Sequence, residues 1–129
     1  MKIGLVAPTI YRLNYPFKGY GGIEPLVSNF SVKLAEKGHD VTVFCPNGSQ
    51  LGNKVKIVPT SEANINYNYG HEEHQHNLIT EYLRTNPVDI LHDHTHQKYA
   101  YIYKRDHPEQ KVCSTLHCQV NFQQAPPAK

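Results

Sequence analysis

Short apolar runs alternate along this chain with apolar residues at helical spacing. The first run, residues 2–7, ends at Pro8 and is typical of a strand buried on both faces of a sheet. Further strands are predicted at 40–45, 54–58, 88–92 and 111–117, and helices at 23–37, 72–85 and 97–104. This alternation predicts an α/β fold, a doubly wound parallel sheet in the order 3-2-1-4-5 with strand one at its centre.

The first predicted helix has the clearest amphipathic pattern. Glu24 and Pro25 suit its first turn, and Gly38 marks its end. We expect one apolar stripe of this helix to face the core, formed by Ile23, Leu26, Val27, Phe30 and Leu34. Residues 60–71 are polar and are predicted to form a surface loop, and the histidine-rich segment that follows is expected to be exposed.

Length, charge and cysteine content narrow the class of protein. The 129 residues fit one domain, assigned to 1–118, and a polar tail, 119–129. The net charge of +2 without long like-charged runs argues against a nucleic-acid or membrane-surface partner. The apolar start is too short for a signal-peptide core or a membrane span. The chain has an odd number of cysteines and no C-x-x-C motif, which indicates reduced thiols: the cysteines are Cys45, Cys113 and Cys118. We therefore expect a cytoplasmic protein.

Ligands of such sheets bind at the carboxyl ends of the strands, where the strand order reverses. Strand one is followed by a long loop, residues 8–19, and then by Gly21 and Gly22; strand four is followed by His94, and strand five ends at His117. A glycine pair before a helix can let an oxyanion approach the N–H groups of the first turn, or can simply turn the chain. The pattern is not the G-x-G-x-x-G dinucleotide fingerprint, and no cofactor is predicted.

Two histidine clusters raise the question of a metal site. His92, His94 and His96 follow strand four, but a metal site normally recruits ligands from several segments, so no metal is assigned here. The same applies to the cluster formed by His71, His74 and His76. We expect His94 to be a hydrogen-bonding or acid–base group in a cleft, and His92 to be a partly buried histidine with satisfied hydrogen bonds.

Four segments resemble the N-terminal half of the family 4 glycosyltransferases, which are retaining enzymes of the GT-B type. They are MKIGLVAP, YGGIEPLVSNFSVKLAEKGHDVTVFCP, VDILHDHT and VCSTLH, and the resemblance covers residues 1–118. It implies a Rossmann-like domain that holds the acceptor and faces, across a cleft, a second such domain that holds most of the nucleotide sugar. The combination of the GGIE helix with the GHDVTVF segment is the most specific part of the match.

The resemblance also implies roles for individual residues. Gly21 and Gly22 would approach the donor diphosphate, His94 would lie beside the transferred sugar as the catalytic candidate, and His117 would line the cleft. Pro25 departs from the family pattern, because relatives usually have arginine after GGIE, and this puts a local ion pair in doubt.

The donor half of the family, with two glutamates separated by seven residues and a basic pair, does not occur in these 129 residues. We therefore expect nucleotide sugar and acceptor to bind productively only with a second domain. An uncovered strand five would favour pairing with a complementary chain or a second copy. Two alternatives stay open: a non-catalytic sugar- or phosphate-binding module, and a histidine-based metal-binding protein.

Overall fold

The computed structural model describes residues 1–17, 22–63 and 69–116. Within these ranges the chain forms five strands and three helices. Their order is β1 (Lys2–Val6), α1 (Ile23–Glu36), β2 (Asp40–Cys45), β3 (Val55–Pro59), α2 (Tyr69–Thr85), β4 (Ile90–Asp93), α3 (Ala100–Asp106) and β5 (Lys111–Ser114). Three predicted features lie outside the described residues: Gly21, His117 and the tail 119–129.

All strand pairs of the sheet are parallel, and the strand order is β3-β2-β1-β4-β5. The predicted α/β class and the order 3-2-1-4-5 are therefore confirmed. In the register of the sheet, Leu5 of β1 lies between Val43 of β2 and His92 of β4. The strand β5 is an edge of the described sheet. The expected pairing of this strand with a second copy or a complementary chain stays a prediction.

Helices cover the sheet on both faces, which gives two separate cores. Leu5 of β1 belongs to the core beneath α1, and the next residue, Val6, belongs to the core beneath α2 and α3. Successive side chains of a strand point to opposite faces, so one central strand serves both cores. None of the helices within the described residues has the length and apolar composition needed to cross a bilayer.

The predicted apolar stripe of α1 is partly wrong. Leu26 and Phe30 are 49% and 39% exposed. Val27 of the predicted stripe is buried, and the other buried residues of the helix are Glu24, Ser28, Ser31, Val32 and Ala35. The hydroxyl of Ser28 donates to the backbone carbonyl of Glu24 at 2.7 Å, and that of Ser31 to the carbonyl of Ser28 at 2.9 Å. Because these hydroxyls are satisfied inside the helix, small polar residues can face the sheet without an unpaired group.

The helix α2 begins three residues before the predicted Glu72, so residues 69–71 do not belong to the predicted loop. The expectation that its polar first half is exposed is only partly confirmed: Glu73 and His74 are exposed, whereas Glu72 and Gln75 are buried. The amide of Gln75 donates to the carbonyl of Ala7 at 3.0 Å and to the hydroxyl of Thr60 at 3.2 Å. Hydrogen bonds from Gln75 to the ends of the strands thus help to hold this part of the helix.

Three further boundaries differ from the predictions. The strand β4 extends to Asp93, α3 spans Ala100–Asp106 rather than 97–104, and β5 ends at Ser114 rather than at residue 117. The carboxylate of Asp93 accepts hydrogen bonds from the chain that follows it, including the N–H of Ala100. The chain therefore turns after Asp93, and α3 starts later than its tyrosine pattern predicted. The strand β4 also begins at Ile90, two residues later than predicted, and the ends of β1 and β3 differ by one residue, which is within ordinary variation of such boundaries.

Candidate functional site at the carboxyl edge of the sheet

Three neighbouring strands end at one edge of the sheet, as predicted for the site. The backbone N–H of His94 donates to the carbonyl of Val6 at 2.9 Å, and that of Thr115 donates to the carbonyl of Asp93 at 3.0 Å. These bonds continue the β1–β4 and β4–β5 pairing one residue beyond the strands. His94 therefore stands at the carboxyl end of β4, next to the end of the central strand.

The rings of His92 and His94 lie against each other, with centroids 4.1 Å apart and planes at 33°. The ring of Phe30 from α1 packs edge-on against both histidines, with centroids 5.7 Å from His92 and 6.4 Å from His94. His94 is almost fully buried and presents little surface, whereas Phe30 is partly exposed. The exposed apolar side of α1 thus adjoins the predicted catalytic histidine.

His92 is half-buried, and its Nε2 lies 2.7 Å from the hydroxyl of Thr115. Burial lowers the pKa of His92 below its ordinary value, against the raising effect of the Asp93 charge. The ring therefore favours its neutral form. The prediction of a partly buried, hydrogen-bonded histidine at this position is confirmed.

Gly22 precedes α1 and has right-handed backbone angles, with φ −95° and ψ −38°. A Cβ atom built on Gly22 would meet no protein atom within 4 Å. Neither a positive φ nor close packing within the described residues therefore requires glycine here. The sequence offered two interpretations of the glycine pair, an approach route for an oxyanion or a simple turn of the chain. The open space at Gly22 favours the first, because a ligand could approach the backbone there.

The first turn of α1 contains one buried carboxylate of its own. Glu24 is only 4% exposed, and burial raises the pKa of this carboxyl group. A hydrogen bond from its own backbone N–H and the charge of His96 act in the opposite direction. The charge of His96 therefore acts at the start of α1, in keeping with the contacts of Phe30 from the same helix with His92 and His94.

Residues 94–98, called here the histidine loop, connect β4 towards α3. Glu72 of α2 accepts the backbone N–H of Gln97 at 2.6 Å with Oε1 and that of His96 at 3.1 Å with Oε2. At the end of the loop Lys98 has a φ of 61° and donates from Nζ to the carbonyl of Thr115 at 3.0 Å. The loop is thus joined both to α2 and to the chain after β5.

The sequence interpretation assigned no individual role to Glu72 or to Asp93. Asp93 accepts both the N–H of Thr95, at 2.7 Å, and its hydroxyl, at 2.6 Å. An aspartate two residues before a threonine at the end of a strand is a usable signal for such a turn. No comparable local signal marks Glu72, because its partners lie more than twenty residues further along the chain.

The two histidine clusters do not form a joint metal centre in the part of the chain that the structure describes. No group of three or more His, Cys, Asp or Glu side chains suited to a metal occurs there. His76 of α2 instead stacks on Tyr99, with ring centroids 5.1 Å apart. Beside it lies a cavity of about 20 Å³ between α2, α3 and β4, lined in part by Glu72 and Asp93. Its volume corresponds to roughly one water molecule, so it is too small for a sugar.

The described cysteines Cys45 and Cys113 are free thiols. Burial raises the pKa of Cys45 to about 11, so this thiol is protonated at neutral pH and is a poor nucleophile. Cys118 lies outside the described residues. Burial also raises the pKa of Cys113. Within the described residues, the carboxyl edge therefore offers histidine, threonine and backbone groups rather than an activated thiol.

A parallel α/β sheet with a polar carboxyl edge defines the class of ligand-binding domains to which the sequence resemblance pointed. Residues 20–128 match the sequence model described as Glycosyltransferase Family 4. The matched range includes Gly22, the histidine loop and most of the sheet, and it covers most of the chain. The chain therefore belongs to glycosyltransferase family 4. No curated protein matches it at a significant level.

Proposed function

We propose that this chain is the acceptor-side domain of a nucleotide-sugar-dependent, retaining hexosyltransferase. The observation that supports this most directly is the position of His94 in a family 4 domain. Its backbone is fixed to β1 at the carboxyl edge, where open sheets of this class bind ligands. In this proposal His94 lies beside the transferred sugar.

The glycines before α1 would face the diphosphate of the donor. The open space around Gly22 supports this role, because a phosphate oxygen needs close access to the backbone N–H groups of the helix start. The same role for Gly21, and a cleft-lining role for His117, rest on the family resemblance alone.

We further propose that turnover requires a donor-binding domain in addition to these residues. We also propose that the protein is cytoplasmic. The negative charge on the leaving diphosphate must be stabilised, and this is usually the largest catalytic contribution in such a transfer. One helix start offers only about half a positive charge. At α1 that partial charge already faces the buried carboxyl group of Glu24.

Calorimetry of the pure chain with UDP- and GDP-sugars tests the first part of the proposal. We expect dissociation constants in the millimolar range or weaker. Sub-micromolar affinity, or sugar transfer by the pure chain, would contradict the requirement for a second domain.

Joining the chain to a family 4 donor-binding domain tests the second part. His94→Ala should then lower kcat by about 100-fold, the lower range for a positioned polar catalytic group. The matched control is His74→Ala, which removes an exposed histidine of α2 and should leave kcat unchanged. Equal effects of the two substitutions, or no transfer by the unsubstituted joined protein with any donor sugar, would overturn the assignment.

A further inference from the structure

Two buried glutamates approach the histidine loop from opposite faces of the sheet. Glu24 belongs to α1 and Glu72 to α2, and they are 4% and 2% exposed. The charge of His96 lowers the pKa of both carboxyl groups, against the stronger raising effect of burial. His96 therefore lies within electrostatic reach of both.

We infer that Glu72 is a positioning residue, which fixes His96 beside the start of α1 by holding the backbone N–H groups of His96 and Gln97. This inference rests on the proposed function in one respect: the start of α1 is where the donor diphosphate would lie. There, a fixed imidazole would supply a hydrogen-bond donor to a phosphate oxygen.

At Glu72 the two oxygens of one carboxyl group accept two successive backbone N–H groups. Its two carboxylate oxygens accept one bond each, from Gln97 at 2.6 Å and from His96 at 3.1 Å. When Glu72 is ionised these bonds are charge-assisted, which makes them about twice as strong as neutral ones, and they fix direction as well as distance. The loop therefore has little freedom to rotate about His96 while Glu72 is ionised.

The neutral residue Gln75 on the same helix shows that α2 can be attached to the rest of the fold without a charged group. Gln75, one turn after Glu72, is equally buried and bonds to Ala7 and Thr60 without a charge. Burying a carboxylate costs more than burying an amide. The buried carboxylate Glu72 lies where the helix contacts the histidine loop, and this favours a role in the site over a purely structural one.

Amide hydrogen exchange in the ligand-free full chain tests the inference. In Glu72→Gln, exchange at His96 and Gln97, divided by the rate at Leu5 of the central strand, should rise by about tenfold or more. The imidazole NMR signals of His96 should shift, while those of His74 should not. The matched control Gln75→Met removes an equally buried polar group, and should lower stability without changing the exchange ratio.

An unchanged ratio in Glu72→Gln, or equal changes in Glu72→Gln and Gln75→Met, would overturn the inference. If Glu72→Gln does not fold, the wild-type chain decides. Scalar couplings across the hydrogen bonds, from the amide nitrogens of His96 and Gln97 to the Glu72 carboxyl carbon, should be detectable, and their absence would contradict the geometry.

Titration with inorganic pyrophosphate separates this inference from the proposed function. In the wild-type chain pyrophosphate should shift the His96 imidazole signals, and the shift should be at least halved in Glu72→Gln. If pyrophosphate shifts no signal of the wild-type chain, the proposed diphosphate site fails. The exchange ratios still decide the positioning role in that case.

Discussion

Two aspartates at opposite ends of β4 have very different surroundings. Asp89 precedes the strand, is exposed, and accepts one hydrogen bond, from the backbone N–H of Lys2 at 2.7 Å. Asp93 ends the strand, is 1% exposed, and accepts the N–H and hydroxyl of Thr95 and, at 3.4 Å, the N–H of Ala100. Water can replace a lost partner at the first position but not at the second.

The same difference holds for the two ends of the sheet. At the amino end, the Lys56 ammonium lies 5.5 Å from the centre of the Tyr82 ring and remains exposed. At the carboxyl end, Thr60, Glu72 and Gln75 are buried and bonded to loops or strand ends. Satisfied buried polar groups fix local geometry more tightly than solvated ones. We therefore expect the carboxyl end, where the ligand site is proposed, to be the more rigid of the two.

The largest effect is expected from removing the buried aspartate. Asp93→Ala leaves buried N–H and hydroxyl donors without an acceptor and should lower the free energy of unfolding by about 3 kcal/mol or more. Asp89→Ala should change it by less than about 1 kcal/mol. Urea unfolding of both variants measures the difference. Equal costs at the two ends would break the comparison, and Asp93→Asn serves as the milder substitution if Asp93→Ala does not fold.

Packing in the middle of the sheet gives the next largest effect. A Cβ atom on Gly4 would lie 3.2 Å from Cδ1 of Leu91 and 3.4 Å from Cε2 of Phe44. Gly4→Ala should therefore cost about 1–3 kcal/mol by overpacking, measured by urea unfolding. The NMR signals of the histidine loop should be unchanged, which would separate loss of stability from loss of the site. A shift of those signals would show that the carboxyl end is not independent of the sheet centre.

The architecture could be predicted because it depends on apolar periodicity, as in β1 and the β2 segment that follows Gly38. The stripe of α1 could not be predicted in full. Periodicity places Leu26 and Phe30 on the apolar side, but the choice of buried face depends on Ser28 and Ser31, whose hydroxyls bond inside the helix. Hydrophobicity alone does not detect that compensation.

The site was partly predictable for a related reason. His94 could be located because it follows a strand of clear apolar pattern, and strand ends meet at one edge of a parallel sheet. Glu72 could not, because its partners are brought together only by the tertiary fold. A glutamate in a histidine-rich, polar segment has the sequence pattern of an exposed residue.

A smaller effect that depends on pH is expected at Glu24. Burial raises the pKa of Glu24, so between about 4.3, the ordinary value for glutamate, and the raised value the folded state holds more protons than the unfolded state. The free energy of unfolding should therefore fall as pH rises through this window. Glu24→Gln lacks this titration, so its stability relative to wild type should increase over the same range in urea unfolding at a series of pH values.

His96 supplies the control for that experiment, because its charge lowers the pKa of Glu24. In His96→Asn the pKa of Glu24 should rise further, and the loss of stability should extend to higher pH. If the difference between wild type and Glu24→Gln were independent of pH, the carboxyl group would not be buried as described.

The smallest effect on stability is expected at Gly22, and the other end of α1 provides its matched control. Gly22 and Gly38 both have open space where a Cβ would be, but Gly22 has a φ of −95° whereas Gly38 has a φ of +97°. At Gly22 the loss of a preferred N-cap residue and the reduced entropy of the unfolded chain oppose each other, so Gly22→Ala should change the free energy of unfolding by less than about 0.5 kcal/mol. Gly38→Ala should cost about 1 kcal/mol or more, because alanine is strained at positive φ.

In NMR titrations with pyrophosphate the order should reverse: Gly22→Ala should weaken the shifts of the first-turn amides of α1, and Gly38→Ala should leave them unchanged. A large loss of stability in Gly22→Ala would instead mean that the glycine serves the fold, and the open space at the start of α1 would no longer support a ligand site.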